Sequence, residues 1–253
     1  MTMRSKLRRA KIAEMVEARG EASVDEIAAM FDASHETIRR DLAALEETGA
    51  LLKVHGGAKR APRAEEGPFD ERMARNRAGK QIIAEKLARW MAPDQTVFVD
   101  TGSTTLIAAE ALRSVRGLRL LTNSLRIASR VVSGSGEAEV FLLGGRLDRD
   151  NGETVGPTTI EEIGRFNADV AVITIGALHA AEGASDFSFD EAQVARAMIA
   201  RAKKTALVAD GSKFDQSAPF RVCALEEVDL LITDAPPGAA LSAALDAAKV
   251  RVL

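Results

Sequence analysis

A capping serine and a helical apolar stripe occur together in the segment Ser34-His35-Glu36-Thr37-Ile38-Arg39-Arg40-Asp41-Leu42. Ser34 can cap a helix, and Ile38, Leu42 and Leu45 then recur at i, i+4 and i+7. This spacing is typical of a helix with one buried face. The remaining side chains are predicted to lie on the outer face and in the first turn of that helix.

The residues before this helix predict two more helices. Residues 6–19 carry apolar side chains at helical spacing, and Gly20 follows as a stop signal. The run Ser23-Val24-Asp25-Glu26 has the form of a capping box, which predicts a short second helix ending near Phe31. With the third helix ending near Gly49, two short helices joined by a tight turn predict a helix-turn-helix.

A small β element and a linker are predicted next. Residues 51–54 are typical of a short strand and His55-Gly56-Gly57 of a tight turn, so we expect a wing after the helices. Residues 59–69 are charged, contain two prolines and have almost no apolar content, which is typical of a linker. The predicted domains are therefore a winged helix-turn-helix over 1–58 and a second domain over 70–253.

The outer face of the third helix has two interpretations. A recognition helix in the major groove would divide its adjacent arginines between base edges and phosphates. Alternatively, the helix is an ordinary solvated one in which Glu36 pairs with Arg40 at i, i+4. Under the first interpretation, the DNA contacts of the helix and wing are Ser34, His35, Glu36, Thr37, Arg39, Arg40, Lys53 and His55.

The charge distribution adds limited support for DNA binding. The net charge is −3, but residues 1–60 hold 11 Lys/Arg and 10 Asp/Glu, a balance of +1, which leaves 23 against 27, or −4, for the remainder. Five cations and no acid occur between Arg4 and Lys11. A basic helix start is also typical of a solvated face, so this feature needs a motif beside it.

The apolar content and the cysteine usage indicate the compartment. No stretch approaches the roughly 18 consecutive apolar residues of a membrane span, so we expect a cytoplasmic protein without membrane contact. The single Cys223 has no partner for a disulfide and no neighbouring cluster of metal ligands. We therefore expect Cys223 to be a buried apolar side chain, with no metal site.

The second domain shows alternating strands and helices. A long helix is expected around residues 83–91, with others over 104–112 and 190–202. The strand candidates are 96–99, 118–122, 140–143, 170–175, 205–209 and 230–233. This alternation predicts an α/β domain with a mostly parallel sheet covered on both faces. Ligands in such sheets bind at the carboxyl ends of the strands.

Polar residues follow several of these strands. In Asp100-Thr101-Gly102-Ser103-Thr104-Thr105, a glycine permits close approach of a ligand, and amides and hydroxyls at a helix start favour an anion such as phosphate. A plain N-cap turn is the alternative. Asn123 either contacts a ligand or caps the next helix. Asp210 and Lys213 either hold sugar hydroxyls and phosphate or form a surface ion pair.

These motifs together resemble the DeoR family of bacterial transcriptional regulators. The N-terminal match consists of Arg8, Ile12 and Val16, then Ser34-x2-Thr37-Ile38-Arg39-Arg40-Asp41-Leu42, then Val54-His55-Gly56-Gly57-Ala58. It continues through the 100–105 loop and through Thr122-Asn123-Ser124, Leu143-Gly144-Gly145, Gly156-Pro157, Ile175-Gly176-Ala177 and Ala209-Asp210-Gly211-Ser212-Lys213-Phe214. The resemblance covers nearly the whole chain.

The resemblance implies a fold and a function for the second domain. Its fold is expected to resemble ribose-5-phosphate isomerase and related sugar-phosphate enzymes. The protein is expected to be a homo-oligomeric repressor of carbohydrate or polyol catabolism genes, which binds operator DNA and responds to a phosphorylated sugar or polyol, without a cofactor or a catalytic residue. The implied effector-binding residues are Asp100, Gly102, Ser103, Thr104, Thr105, Asn123, Ser124, Gly145, Gly176, Glu191, Asp210 and Lys213.

One departure from the family pattern concerns the pocket. Gly176-Ala177-Leu178-His179 stands where many members have Gly-Ala-x-Gly, which leaves the shape of the pocket open at His179. The Asp-Phe-x-x-x-Glu pattern of residues 186–191, with Thr233-Asp234-Ala235-Pro236-Pro237, is similar to the glycerol-3-phosphate repressor subgroup.

Two other function classes stay open at this point. A sugar-phosphate isomerase would share the fold, and Asp100, Glu191, Asp210 and Lys213 include groups able to move protons. An isomerase does not need the N-terminal module, however, and fold alone does not confer activity. An oligomerisation adaptor would leave the 100–105 loop unexplained.

Overall fold

The computed structural model describes residues 3–47, 50–59, 66–133 and 137–253 of the chain. The chain divides into two compact units, Met1–Arg63 and Ala64–Leu253. The predicted end of the third helix near Gly49 and most of the predicted linker, residues 60–65, lie outside the described residues.

The first unit is a winged helix-turn-helix. Its elements are α1 (Met3–Arg19), β1 (Glu21–Ser23), α2 (Val24–Phe31), α3 (His35–Glu47), β2 (Leu52–Val54) and β3 (Gly57–Lys59). The three strands form an antiparallel sheet in the order β1-β3-β2. The sequence does not predict β1, because three residues are too few to show an alternating pattern.

Capping side chains set the helix boundaries of this unit. In the predicted capping box, Glu26 N donates to Ser23 Oγ at 3.1 Å and Ser23 N donates to Glu26 Oε2 at 2.8 Å. Asp32 ends α2 in the left-handed conformation, with a φ of 46°. Thr37 N donates to Ser34 Oγ at 3.3 Å at the start of α3. Both predicted caps are confirmed.

The apolar stripe of α3 lies in the core of this unit. Ile38 and Leu42 are fully buried against Ile12 of α1 and Ile27 of α2. Burial of each such side chain contributes about 1.5–3 kcal/mol, although part of that gain offsets lost conformational entropy. The side chains that the sequence predicts to form one apolar face of α3 are therefore the side chains that the core buries.

Both ends of the predicted linker lie in folded structure. Lys59 is the last residue of β3, and its ammonium lies 3.3 Å from Glu21 Oε2. Phe69 is buried at the start of the helix α4 (Phe69–Ala74), and Glu66 forms ion pairs within the second unit. The linker prediction over 59–69 is too long, because composition does not reveal the long-range partners of these residues.

The second unit alternates helices and strands. Its remaining helices are α5 (Arg77–Trp90), α6 (Ser103–Leu112), α7 (Leu125–Val132), α8 (Pro157–Ile163), α9 (Phe189–Ala200) and α10 (Ala239–Ala247). Its strands are β4 (Thr96–Val99), β5 (Arg119–Thr122), β6 (Glu139–Leu142), β7 (Arg146–Asp148), β8 (Glu153–Val155), β9 (Val170–Ile173), β10 (Ala177–His179), β11 (Gly183–Asp186), β12 (Thr205–Val208), β13 (Phe220–Cys223), β14 (Leu230–Ile232) and β15 (Arg251–Val252).

Seven of these strands form one parallel sheet in the order β15-β14-β12-β9-β4-β5-β6. Along the chain, β4, β5 and β6 follow one another toward one edge of the sheet. β9 then pairs with the other side of β4, and β12, β14 and β15 follow toward the opposite edge. The strand order therefore reverses between β4 and β9. In α/β sheets, such a reversal opens a crevice at the carboxyl ends of the two strands, and ligands bind there.

The sheet is covered on both faces, as the sequence predicts. Phe98 of β4 faces one apolar core, which includes side chains of α8, α9 and α10. Val97 and Val99 face the other core, with α5, α6 and α7. Cys223 is buried in the first core, which confirms that prediction.

The predicted strands of the sheet are present with ends shifted by at most two residues. The sequence does not predict β15, the β7-β8 hairpin or the small antiparallel sheet β10-β11-β13, although residues 220–225 are strand-like in sequence. β7, β8, β10 and β11 lack the continuous apolar run that marks the strands of the parallel sheet. Among the described residues, no helix has the length and apolar character needed to cross a membrane.

Candidate functional site

The outer face of α3 presents the arginines expected to contact DNA. Arg39 and Arg40 are exposed, as are Ser34, His35 and Glu36. Arg40 Nε lies 3.2 Å from Glu36 Oε1, which is the i, i+4 pair of the alternative interpretation. Both side chains of this pair are largely solvated, so the pair is weak and leaves Arg40 available to a phosphate. Arg39 forms no ion pair with a described side chain.

Contacts at the start of α3 are partly local and partly made with α2. His35 Nε2 lies 3.3 Å from Asp25 Oδ1 of α2, and Thr37 Oγ1 shares a hydrogen bond of 2.9 Å with Ser34 Oγ within the first turn of α3. The His35–Asp25 contact crosses the turn of the helix-turn-helix, and its side chains are largely exposed. The first turn of this helix is the part that enters the major groove in this motif.

The wing presents Lys53 and His55 to solvent. Its turn requires glycine, since Gly56 has a φ of +81° and a Cβ on Gly57 would overlap the Ala22 carbonyl of β1. The Lys53 amide donates to Glu46 Oε1 at 2.9 Å, which ties β2 to α3. The wing and the recognition helix are therefore held together, and the predicted DNA contacts on both are exposed except for Thr37, which is half-buried.

Asp41 has a structural role that its place in the motif does not reveal. It is only 2% exposed and accepts from Arg8 Nε at 2.6 Å and from Arg9 Nε at 2.7 Å. These bonds join α1 to α3. Two of the cations in the basic start of the chain therefore neutralise Asp41, so that start supports DNA binding less than its charge count suggests.

The second candidate site is the crevice at the carboxyl ends of β4, β9 and β12. The loop after β4 contributes Gly102, Ser103 and Thr104, the loop after β9 contributes Thr174, and the turn after β12 contributes Lys213. A Cβ on Gly102 would lie 2.6 Å from Thr174 Oγ1. Glycine is therefore required for the two loops to approach at the reversal of strand order.

The first turn of α6 faces this crevice, as predicted. Ser103 Oγ accepts from Lys80 Nζ at 2.9 Å. The Thr105 hydroxyl donates to the Gly102 carbonyl at 3.1 Å, so it stabilises its own loop and does not line the cavity. The amides at this helix start are suited to an anion, because the helix dipole is positive there.

Asp100 lies beneath the loop and is almost fully buried. It accepts from Thr101 N at 2.8 Å and from Thr174 Oγ1 at 3.3 Å. Burial, together with the charges of Glu153 and Asp186, raises the pKa of Asp100 well above its ordinary value. We infer that Asp100 shapes the loop from below.

Three cations converge on the first turn of α6. The sequence predicts that Lys213 binds the effector. It does not predict this for Arg72 of α4 or Lys80 of α5, because both look like solvated charges on amphipathic helices. Arg72 and Lys80 are 7% and 3% exposed. The pKa of Lys80 is lowered to about 8, mainly by burial; Asp210 and Glu66 oppose this shift, while the positive charges of Lys213 and Arg72 contribute to it.

The Glu66 carboxylate lies among these cations. One oxygen accepts from Lys213 Nζ and the other from Arg72 Nη1. Burial would raise the pKa of Glu66, but Lys213, Arg72 and Lys80 hold it below its ordinary value. The ion pair of Lys213 is thus a buried one with Glu66.

Asp210 does not pair with Lys213. Its carboxylate accepts from Ser212 N at 2.9 Å and so caps the short 3₁₀ turn Gly211–Lys213. The surface ion pair considered from the sequence is therefore wrong. Asp210 orients the turn that carries Lys213 into the crevice.

Buried carboxyl groups lie on the other side of Arg72. Asn151 Nδ2 donates to Glu153 Oε1 and to Glu191 Oε1, both at 3.0 Å, and Arg72 donates to Asn151 Oδ1. Burial raises the pKa of Glu153 to about 7 and that of Asp186 to about 6, and it raises the pKa of Glu191 well above its ordinary value. Such carboxyl groups can accept from hydroxyl groups or, when protonated, donate to them.

The crevice opens into a cavity of about 680 Å³ next to α4, a size that suits a small sugar phosphate. Its lining is mostly polar and comprises Glu66, Gly67, Pro68, Phe69, Asp70, Arg72, Asp148, Asp150, Asn151, Asp186, Phe187, Ser188 and Glu191. Arg72 is the one cation among the described residues of this lining, and carboxyl groups and Asn151 provide hydrogen-bonding groups along the walls.

Asn123 and Ser124 lie behind the crevice. Asn123 is fully buried; it accepts from Thr101 Oγ1 at 3.2 Å and donates to Glu153 Oε2 at 2.9 Å. Ser124 is the cap of α7, since its Oγ accepts from Ile127 N at 3.4 Å. The capping alternative for Asn123 is therefore wrong, and this side chain joins two loops of the site.

Gly145 and Gly176 serve close packing. A Cβ on Gly145 would overlap Thr159 of α8, and a Cβ on Gly176 would lie 2.7 Å from Phe187. His179, at the departure from the family pattern, accepts from Ala181 N at 3.3 Å in its own turn. These three residues are not part of the cavity lining given above.

An exposed recognition helix in one unit and a cation-lined crevice in the other define a class of protein, the DNA-binding regulators with a ligand-sensing domain. Comparison with known families agrees with this class. Residues 8–63 match the DeoR-like helix-turn-helix domain, and residues 75–235 match the DeoR C terminal sensor domain. The chain belongs to the DeoR family of transcriptional regulators.

Characterised relatives are similar over most of the chain. The HTH-type transcriptional repressor CsqR of Escherichia coli K12 is 33% identical over 94% of this chain and 91% of its own length. The glycerol-3-phosphate regulon repressor of Haemophilus influenzae is 35% identical over 93% of this chain and 92% of its own length. The glycerol-3-phosphate regulon repressor of E. coli K12 is 32% identical, with 89% of each chain covered.

Solved structures are more distant. Ribose 5-phosphate isomerase from Plasmodium falciparum matches 54% of this chain and 52% of its own, with a TM-score of 0.40 and 12% identity. A tetrameric eIF2B-beta2-delta2 complex from C. thermophilum matches 96% of this chain and 89% of that chain, with a TM-score of 0.49 and 13% identity.

Proposed function

We propose that this protein is a cytoplasmic, homo-oligomeric repressor of carbohydrate or polyol catabolism genes. It binds operator DNA through α3 and the wing, and a phosphorylated sugar or polyol in the crevice changes its affinity for DNA. One observation carries the effector assignment: Arg72, Lys80 and Lys213 converge on the N-terminal turn of α6, where the strand order reverses.

The walls of the cavity support a hydroxylated ligand. Asn151 and Glu191 line the cavity beyond Arg72 and are hydrogen-bonded to each other, an arrangement suited to the hydroxyl groups of a polyol, and Glu153 supports Asn151 from behind. Glycerol 3-phosphate is the first ligand to test, because two of the similar relatives are glycerol-3-phosphate regulon repressors.

The coupling between effector and DNA is a population shift. The effector must bind one of two arrangements of the protein more tightly than the other, and DNA must prefer one of the same two. Paired helix-turn-helix modules read paired half-sites, so we expect an oligomer on the operator.

The test is operator binding with effector added. Binding of the purified protein to its own promoter region is measured by fluorescence anisotropy while glycerol 3-phosphate, other sugar phosphates or their dephosphorylated forms are titrated. We expect only the phosphorylated compounds to change the affinity. An equal response to free and phosphorylated compounds would contradict the phosphate site.

Lys213→Ala separates the two sites. It should not abolish operator binding, but it should raise the effector concentration needed by about tenfold to a hundredfold, as expected for loss of one charge-assisted hydrogen bond. Lys203→Ala is the matched control, because Lys203 is exposed and pairs with Asp169 at 2.8 Å, away from the crevice. Identical titrations for the two variants would count against the crevice.

An isomerase is the second candidate. Glu153, with a pKa of about 7, and Lys80, with a pKa of about 8, are suited to proton transfer near neutral pH. The test is turnover of ribose 5-phosphate by the purified wild type and by Glu153→Gln. Turnover by the wild type that is lost in Glu153→Gln would favour an enzyme. We expect no turnover by either protein.

A further inference from the structure

We propose that Glu66 is a built-in competitor for the phosphoryl group of the effector, and that its displacement is the step by which effector binding is communicated along the chain to the DNA-binding unit. This inference rests on the proposed function of the crevice. It concerns a residue that the sequence places in a linker.

The first observation is the position of the carboxylate. Glu66 bridges Lys213 and Arg72, and the three side chains are 15%, 12% and 8% exposed. A carboxylate bound by two buried cations at a helix N-terminus occupies the place of a phosphate in geometry and in charge.

The second observation is the lack of space beside the Glu66 carboxylate. The inner end of the crevice, between Glu66 and the first turn of α6, has room for only about one water molecule. A phosphoryl group cannot enter there while the carboxylate stays, for reasons of volume and of repulsion between like charges at contact distance. Effector and Glu66 are therefore mutually exclusive.

The third observation is an unused donor. Arg72 Nε is buried and has no acceptor among the described residues. A buried donor without a partner is unfavourable, at a cost of about 1–3 kcal/mol. Glu66 accepts from Nη1 and Asn151 accepts from Nη2, so Nε remains available to a further acceptor. Arg72 thus has one buried donor left for a ligand.

The chain around Glu66 permits its release. Gly67 follows with a φ of +85°, a conformation that favours glycine, and Phe69 is anchored by burial beneath Arg126, whose guanidinium lies 4.4 Å from the ring centre. Glu66 can therefore leave the two cations while Phe69 and α4 stay in place. In the sequence, Glu66 is three positions after Arg63, where the DNA-binding unit ends.

The test compares Glu66→Gln with Glu71→Gln in the full-length protein. Glu71 lies on the same segment, is exposed and carries the same charge, so it controls for a general change in potential. Binding of inorganic phosphate is measured by isothermal titration calorimetry at constant ionic strength. We expect at least a tenfold lower Kd for Glu66→Gln than for the wild type, and no change for Glu71→Gln.

Glu66→Asp is a second variant, which is needed if Glu66→Gln does not fold. It keeps the charge but shortens the side chain, and we expect a Kd for phosphate between those of the wild type and Glu66→Gln. Equal or weaker phosphate binding by folded Glu66→Gln would overturn the competitor while leaving the proposed function in place. Phosphate binding by none of the proteins would overturn both.

The communication step has its own readout. Inorganic phosphate is expected either to raise or to lower the operator affinity of the wild type. In both cases, the operator affinity of Glu66→Gln without phosphate should equal that of the wild type at saturating phosphate. Chloride at the same ionic strength is the control. If the operator affinity of Glu66→Gln without phosphate equals that of the phosphate-free wild type, displacement of Glu66 is not the communicating step.

Discussion

At the scale of single residues, Arg39 and Arg40 have different surroundings on the same helix face. Arg40 has a weak solvated partner in Glu36, and Arg39 has none among the described side chains. Neither arginine contributes to the core, so their replacement tests DNA recognition without disturbing the fold.

We expect Arg39→Ala and Arg40→Ala to weaken operator binding in different ways. Loss of a base contact should cost about 1–3 kcal/mol and relax preference at one base pair, whereas loss of a phosphate contact should weaken all sequences and reduce the salt slope by about one. Binding is measured at two salt concentrations, with circular dichroism to check folding.

Arg89→Ala is the control for these two variants. Arg89 is exposed and pairs with Glu85 at i, i+4 and 3.4 Å, the same arrangement as in the Arg40–Glu36 pair, but on α5 of the second unit. If Arg39→Ala and Arg40→Ala bind the operator as Arg89→Ala does, α3 is not the reading helix.

Glu153 is a residue whose titration should affect stability. Its ordinary pKa of 4.5 is raised to about 7 by burial, although Asn151 and Asn123 donate to it. A raised folded-state pKa means that the protonated form is favoured in the folded state. The stabilisation is therefore complete below about pH 4.5 and is lost as the pH rises through 7.

We expect the free energy of unfolding to fall between pH 5.5 and 7.5, with Glu153 contributing up to about 1.4 kcal/mol per pH unit. Glu153→Gln cannot titrate, so its slope should be shallower; Asp186 and Glu191 keep part of the slope. Urea unfolding at three pH values measures this. Exposed Glu139→Gln serves as the control, and equal slopes for the two variants would refute the prediction.

At the scale of elements, Asp41 shows how one buried side chain sets the packing of α1 on α3. The side chains of its two arginine partners are each about one-fifth exposed, whereas the side chain of Asp41 is 3% exposed. Removing the carboxylate leaves both cations without that partner and deletes the polar link between the helices.

Asp41→Ala should destabilise the first unit by about 3 kcal/mol, because a buried ion pair loses one member. Arg8→Ala should cost less, since Asp41 keeps Arg9. Unfolding in urea can be followed separately: the single tryptophan, Trp90, lies in the second unit, while circular dichroism reports both units. If the circular dichroism transition of Asp41→Ala matches that of the wild type, the link is not structural.

At the scale of the whole molecule, the two units should respond differently to ligand. Glycerol 3-phosphate at about 100 times its Kd should stabilise the second unit by roughly 2.7 kcal/mol. The Trp90 transition should therefore move to higher urea, and free glycerol should leave it in place. A shift of the same size with glycerol would contradict selective binding of the phosphate ester.

The sequence by itself determined the three helices of the first unit and six of the seven strands of the parallel sheet, with their order along the chain. Caps such as Ser23 and Ser34, the apolar stripe of α3 and the short apolar strands act within a few residues, so their patterns can be read locally. The parallel α/β sheet follows from the alternation of those elements. The loop at Gly102, Ser103 and Thr104 was likewise predicted to contain a site, because loops after parallel strands meet at one edge of the sheet.

Only the tertiary structure decided which charges complete that site. Glu66 and Lys213 are 147 positions apart in the sequence, and no periodicity or spacing connects them. Arg72 and Lys80 look like surface charges until α4 and α5 pack them beside α6, and the pKa shifts of Lys80 and Glu153 arise from burial, which exists only in the folded chain. Local interactions fix secondary structure, whereas desolvation and long-range charge pairs depend on the packing of segments that are distant in sequence.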